Sequence, residues 1–168
     1  MSLGKNVPIK SVCPPRASAP VILRAWAGGA LAVALVAGLA DISGFPLVLG
    51  SFGASCVLLF GFPESPFSQP RNVIGGHVLA SLTGLLFFSL FGARWWSMAL
   101  AAGSAIAVMM ATRTVHPPAG SNPVIVMLSA PAWTFLATPT LAGAILLVLV
   151  ALVFHRGFGK HAYPSYWL

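Results

Sequence analysis

The stretch TRTVHPPAGSNPVIVML, Thr112 to Leu128, lies between two long apolar runs and decides how the chain is read. It places Arg113, His116, two prolines and a Gly120-Ser121-Asn122 trio where a plain membrane helix would be uniformly apolar. Pro117 and Pro118 supply no N–H and disfavour helix in the residue before them. One helix is therefore expected to stop near Thr114 or Val115. A new one is expected to start within Ala119–Asn122, with Ser121 or Asn122 as its cap and Pro123 in its first turn. Irregular backbone at membrane depth survives only inside protein or beside a watery cavity. A helix N-terminus there offers free N–H groups and a positive dipole end, which suits an anion.

The rest of the chain supports a membrane setting. It has 168 residues, 58% hydrophobic and 7% charged, with a mean hydropathy of +0.91. Soluble domains carry about 25% charged residues. The expected class is an all-α integral membrane protein. Residues 1–20 form a polar tail, 21–156 one membrane domain and 157–168 a C-terminal tail. The net charge of +7 does not point to nucleic acid. Lys5, Lys10, Arg16 and Arg24 precede the first apolar run, and Arg156 and Lys160 follow the last. Such clusters mark cytoplasmic ends, so both termini are expected on that side. The first apolar run is too long for a signal-peptide core, and no organelle transit peptide is evident. Cys13 and Cys56 do not suggest a disulfide.

Apolar segments fall at about 21–40, 45–62, 73–91, 95–111, 119–130 and 139–154. A span needs roughly 20 apolar residues, so four segments read as long transmembrane helices. The second and fifth read as short, broken half-helices, interrupted by Gly50-Ser-Phe-Gly53 and His116-Pro-Pro-Ala-Gly120. The order of span, broken segment and span occurs twice, in about 21–92 and about 93–156. Arg24 then pairs with Arg94, Trp26 with Trp96, Gly53 with Gly120 and Gly76 with Gly143. If the broken segments cross, the halves are inverted and Arg94 is the only basic residue outside. If they are re-entrant, the halves are parallel and Arg71 and Arg113 lie outside. Positive-inside counting favours six crossings and inverted pseudo-repeats.

The candidate anion site gathers Ser51, Gly53 and Ser55 from one break and Arg113, His116, Gly120, Ser121 and Asn122 from the other. His77, Gln69, Arg71 and Asn72 are candidates for the remaining pathway. Each has a plainer reading. Arg113 snorkels to the interface, and His116 caps a helix. Gly75-Gly76 beside His77 serves helix packing. Gln69, Arg71 and Asn72 cap segment three. Trp26, Trp95, Trp96, Trp133 and Trp167 read as interface anchors. If His116 takes part, its ordinary pKa of about 6.5 would make transport rise in mild acid.

Enzyme chemistry is not expected. Asp41 and Glu64 are the only carboxylates. There is no HExxH, GxSxG or Walker loop. Two cysteines and four histidines give no metal-ligand cluster, and no cofactor is implied.

Two long motifs, SFGASCVLLFGFPESPFSQPRNVIGGH (Ser51 to His77) and TRTVHPPAGSNP (Thr112 to Pro123), resemble the HPP family of small integral membrane proteins. That family is named for the triplet that here is His116, Pro117 and Pro118. The resemblance runs from about Arg24 to Phe154. It implies four membrane helices and transport, since chloroplast and cyanobacterial relatives are associated with nitrite. The family's small residues after His-Pro-Pro-Ala-Gly are replaced here by Ser121, Asn122 and Pro123, which bears on what is bound. The expected function is a transporter or channel for a small inorganic anion, nitrite favoured, in a bacterial inner membrane. The alternative is a non-transporting scaffold or subunit of a larger complex. A homo-oligomer fits such a chain as well as a monomer does.

Overall fold

The computed structural model describes residue 13, residues 15–158 and residues 162–167. Lys5, Lys10 and Lys160, used above for topology, lie outside the described residues. Among the described residues every regular element is helical. The longest are α1 (Ala19–Ser43), α3 (Pro70–Phe91), α4 (Trp95–Ala111) and α6 (Ala142–Phe158). Two short helices lie between them. The first is α2 (Phe52–Cys56), which runs on as a wider π turn over Val57–Gly61. The other is α5 (Asn122–Ser129), entered through a 3₁₀ turn over Pro117–Ser121.

Among the described residues three stretches, Ala19–Ser43, Pro70–Phe91 and Trp133–Phe158, are long and apolar enough to cross a membrane, the last of them broken at Thr138, whose backbone is extended. The fourth expected span, α4, has 17 residues. At 1.5 Å per residue it reaches about 26 Å, a little short of the roughly 30 Å hydrocarbon layer. The protein is an integral, multi-pass membrane protein.

The helix ends follow from local chemistry. Pro20 opens α1 in its first turn, and Gly44 closes it at φ 71°, its N–H returned to Ala40 C=O. Pro70 starts α3 three residues before the expected Val73, because proline is best tolerated in a first turn. Helix α4 ends at Ala111, earlier than the expected Thr114 or Val115. Thr112 Oγ1 donates to the Val108 carbonyl, Arg113 turns into the left-handed region at φ 58°, and the Thr114 N–H returns to Met109 C=O. The chain is thus already unwound when it reaches His116. As expected, no helix continues through the two prolines, and α5 begins at Asn122.

Both broken segments dip into the body of the protein before their short helices start. A Cβ placed on Gly76 would lie 2.9 Å from the Thr114 carbonyl oxygen. A Cβ placed on Gly143 would lie 2.5 Å from the Leu47 carbonyl oxygen. Each of these long helices therefore has a notch, open only because glycine lacks a side chain, that admits the backbone of the opposite break. Between lipid-embedded helices apolar burial gains little, and such close backbone approach is what holds them.

The two breaks leave at opposite ends. Phe60 packs into the Gly28 notch of α1 and against Phe154 of α6. Arg71 donates to the Thr112 carbonyl, and Tyr163 to that of Ser68. The near end therefore collects the start of α1, the end of the π turn, the start of α3 and the ends of α4 and α6. At the far end Pro46 and Val48 lie beside Ser129, Pro131 and Phe135. The first break runs from far to near, the second from near to far.

The C-terminal segment docks rather than trailing free. Tyr163 is buried, packs on the His155 ring at 5.2 Å and donates to Ser68 C=O at 3.0 Å. The Ser165 N–H donates to Gln69 Oε1 at 2.8 Å, and Tyr166 Oη reaches Pro66 O and Asn72 Oδ1.

Candidate functional site

Where the two breaks meet, four polar side chains are completely buried: Ser55 of α2, His77 of α3, His116 ahead of the 3₁₀ turn, and Asn122 at the start of α5. Helical spacing aims Ser55 inward, four residues after Ser51. His77 faces the same space one residue beyond the Gly76 notch that seats His116. The two imidazole centroids are 4.9 Å apart, and Phe52 meets His77 edge-on at 5.1 Å.

One chain of hydrogen bonds joins these groups. His116 Nδ1 lies 2.7 Å from the Phe67 carbonyl. Ser55 Oγ lies 2.9 Å from His116 Nε2 and 2.9 Å from His77 Nε2. His77 Nδ1 lies 3.1 Å from Asn122 Nδ2, and Asn122 Oδ1 accepts from Ser51 Oγ at 2.8 Å. Asn122 Nδ2 also donates to Ser81 Oγ at 2.9 Å, which accepts from Thr140 Oγ1 as well.

The partners fix the proton positions. A carbonyl only accepts, so His116 carries its proton on Nδ1 and, when neutral, accepts at Nε2. Ser55 then donates to His116 and must accept from His77, which is protonated on Nε2. His77 Nδ1 is left as an acceptor, and the Asn122 amide supplies the donor it needs. With both histidines neutral, each of these contacts pairs one donor with one acceptor, while the Ser51 carbonyl, 3.3 Å from Ser55 Oγ, and the His77 carbonyl, 3.3 Å from Asn122 Nδ2, are longer competing acceptors. Among the described residues no buried side-chain nitrogen or oxygen lacks a partner.

Of the eight residues expected at the anion site, Ser51, Ser55, His116 and Asn122 converge, and His77 joins them from the expected pathway. Gly53 is exposed and lines an outward groove of about 480 Å³ with Trp26, Gly29 and Cys56. Arg113 and Ser121 are exposed, and Gly120 is half-buried with open space beside it. Gln69 is buried, but its amide serves Pro63 O, Ser65 O and the C-terminal segment. Asn72 ties Val115 O to Tyr166, and Arg71 holds Thr112 O.

The expected serine and asparagine caps do not form. Ser51 and Asn122 spend their side chains on each other, and Ser121 Oγ donates to Pro118 C=O. The 3₁₀ turn supplies the missing acceptor, since the Asn122 N–H already bonds Ala119 C=O. That amide is not free to cradle an anion in this closed arrangement. Among the described residues no group of three or more histidine, cysteine or carboxylate side chains could hold a metal.

Sequence reasoning missed Ser81 and Thr140. Ser81 stands four residues after His77, on the same face of α3, and that spacing could have flagged it. Thr140 meets Ser81 across 59 positions, and no local pattern signals it.

The profile of the HPP transmembrane region matches residues 14–164. The chain belongs to the HPP family. In this HPP chain the His116-Pro-Pro triplet brings its histidine into the buried polar junction. Two Dictyostelium discoideum proteins, each described only as a transmembrane protein, are similar to it. One is 36% identical over 129 residues, covering 72% of this chain and 45% of the relative. The other is 34% identical over 128 residues, covering 71% and 41%. The chain thus spans less than half the length of these curated relatives. No solved structure matches it.

Proposed function

We infer that this protein moves a small anion across a membrane, with nitrite the favoured substrate, and that the passage opens where the two breaks meet. The observation that carries the reading is the buried cluster Ser55–His77–His116–Asn122, which joins both breaks to α3. Ionisable groups inside a membrane domain are costly and are kept where they line a path. The family resemblance supplies nitrite.

Inverted halves support a carrier. Leu47 and Thr114, whose carbonyls enter the two notches, are 67 positions apart, as are Gly76 and Gly143. Ser55 and Asn122 share that spacing, as do both ends of Pro70–Phe91 and Ala137–Phe158. Such pairing fits two halves of opposite sense around a central site. Among the described residues, Arg24, Arg71, Arg113 and Arg156 belong to the near end and Arg94 to the far end. That favours a cytoplasmic near end, carrying both termini. A bacterial inner membrane is the setting we favour.

The cluster is closed on itself, and this supports a second reading. A fully satisfied polar core also suits a scaffold that carries nothing. Uptake into proteoliposomes, with nitrite, nitrate, formate and bicarbonate offered separately, decides between them. Protein-free vesicles set the baseline, because undissociated weak acids leak through lipid. Uptake of one anion above that baseline supports transport, and baseline uptake of all four supports the scaffold.

A further inference from the structure

We propose that His77, Ser55 and His116 form a proton relay, the Ser55 hydroxyl passing one positive charge between the two imidazoles. Its use in coupling rests on the transport reading above. The geometry is specific. One hydroxyl oxygen lies 2.9 Å from the Nε2 of each histidine. The Phe67 carbonyl orients the whole chain by accepting from His116 Nδ1. A serine between two imidazoles is both acceptor and donor, which is what proton transfer between them requires.

The step balances. A proton from hydronium on one side of the membrane adds to His77 Nδ1 and makes it an imidazolium. The His77 Nε2–H bond then breaks as a new Ser55 O–H bond forms. The original Ser55 O–H breaks as a His116 Nε2–H bond forms. His77 is left neutral with its proton on Nδ1, and His116 carries the charge. His77 Nδ1 has now changed from acceptor to donor and faces the Asn122 amide N–H₂. Asn122 must turn its oxygen towards His77, which takes that oxygen from Ser51. The position of the charge is thereby signalled to both breaks at once.

A charge on the pair needs a counter-ion. Elements packed around it present Ser51, Phe52 and Ser55 from the first break, Ser81 from α3, Met109 from α4 and Thr140 ahead of α6. None of these is acidic. Cys56 follows Ser55 but lines the outward groove, and His155 is held at Leu59 O. The two carboxylates of the chain, Asp41 and Glu64, are both exposed. Arg71 bonds Thr112 O, and Arg113 faces out. A buried charge must be paired, so the partner of the imidazolium is the transported anion. Proton and anion then bind each other's state more tightly, by the same factor in both directions.

Two measurements test the relay. Nitrogen-15 NMR of histidine-labelled protein at neutral pH should find His77 protonated on Nε2 and His116 on Nδ1. Ser55→Ala should leave His116 as it is and release His77 into a mixture of tautomers. His77 protonated on Nδ1 in the unmutated protein overturns the relay, even if the variant does not fold. Vesicles containing a pH dye should then record one proton entering per nitrite. In Ser55→Ala proton entry should slow by about a hundred-fold or more, the lower range for a lost proton-transfer group, so that the ratio falls well below one. Nitrite uptake with an unchanged proton ratio in Ser55→Ala overturns the relay and leaves transport standing. No uptake of any anion by the unmutated protein overturns the transport reading, and the coupling with it.

Discussion

Alanine at Gly76 or Gly143 should destabilise the protein, whereas alanine at Gly53 or Gly120 should not. At Gly76 the new methyl would sit 2.7 Å from His116 Cβ and 2.9 Å from Thr114 O. At Gly143 it would sit 2.5 Å from Leu47 O. Neither a Cβ nor a carbonyl can rotate aside, so the long helix must back away from the break. Overpacking of this kind costs about 1–3 kcal/mol. For a chain of this size that is a melting-point fall of about 2–12 °C. At Gly53 and Gly120 the methyl meets nothing within 4 Å, and at Gly53, inside α2, the gain in helix propensity is about 0.5–1 kcal/mol. The four variants should be melted side by side in one detergent, following tryptophan fluorescence. If Gly76→Ala and Gly143→Ala melt with Gly120→Ala, the notches do not carry the packing assigned to them.

Three further outcomes are expected. Asn122→Leu removes the donor to His77 Nδ1 and the acceptor for Ser51; two unpaired buried groups at about 1–3 kcal/mol each predict a loss of about 2–6 kcal/mol, measurable by chemical denaturation in detergent. His116→Ala should flatten the rise of anion uptake as pH falls, and an unchanged pH profile in a monodisperse sample would make the histidine structural. Burial raises the Tyr163 hydroxyl above its ordinary pKa. Its contribution is then fully present below the unfolded value of about 10 and lost as pH climbs beyond it. Proteolysis of the C-terminal segment should accelerate above that pH, and Tyr163→Phe should remove the alkaline step.

What the sequence made legible was local. Two prolines and the residue before them dictate the break at His116 wherever it lies in space, whereas the ends set by Gly44 and Pro70 fell three residues beyond the apolar runs that were read as the helices. The caps were misread because local pattern cannot say whether Asn122 will meet its own helix or Ser51, 71 positions away. His77 and His116 were both candidates, but their sharing of Ser55 depends on the Gly76 notch. A notch is a property of two elements together. The docking of Tyr163 and Tyr166, 95 and 100 positions from the carbonyls they meet, leaves no trace in hydropathy, because a tyrosine in a polar tail looks like an interface anchor.

That docked segment bears on how the protein can be handled. Reporter domains are commonly joined behind the last helix of a membrane protein, on the assumption that the chain there is slack. Here Tyr163 fills a slot beside His155, and Tyr166 is tied to Asn72, whose amide holds the carbonyl next to His116. A bulky domain attached close behind Trp167 would pull on that tether and, through Asn72, on the second break. Fluorescence or affinity handles therefore belong before α1, where Arg16, Ala17 and Ser18 are exposed, or beyond a long flexible spacer. An inactive C-terminal fusion would say more about its attachment point than about the protein's activity.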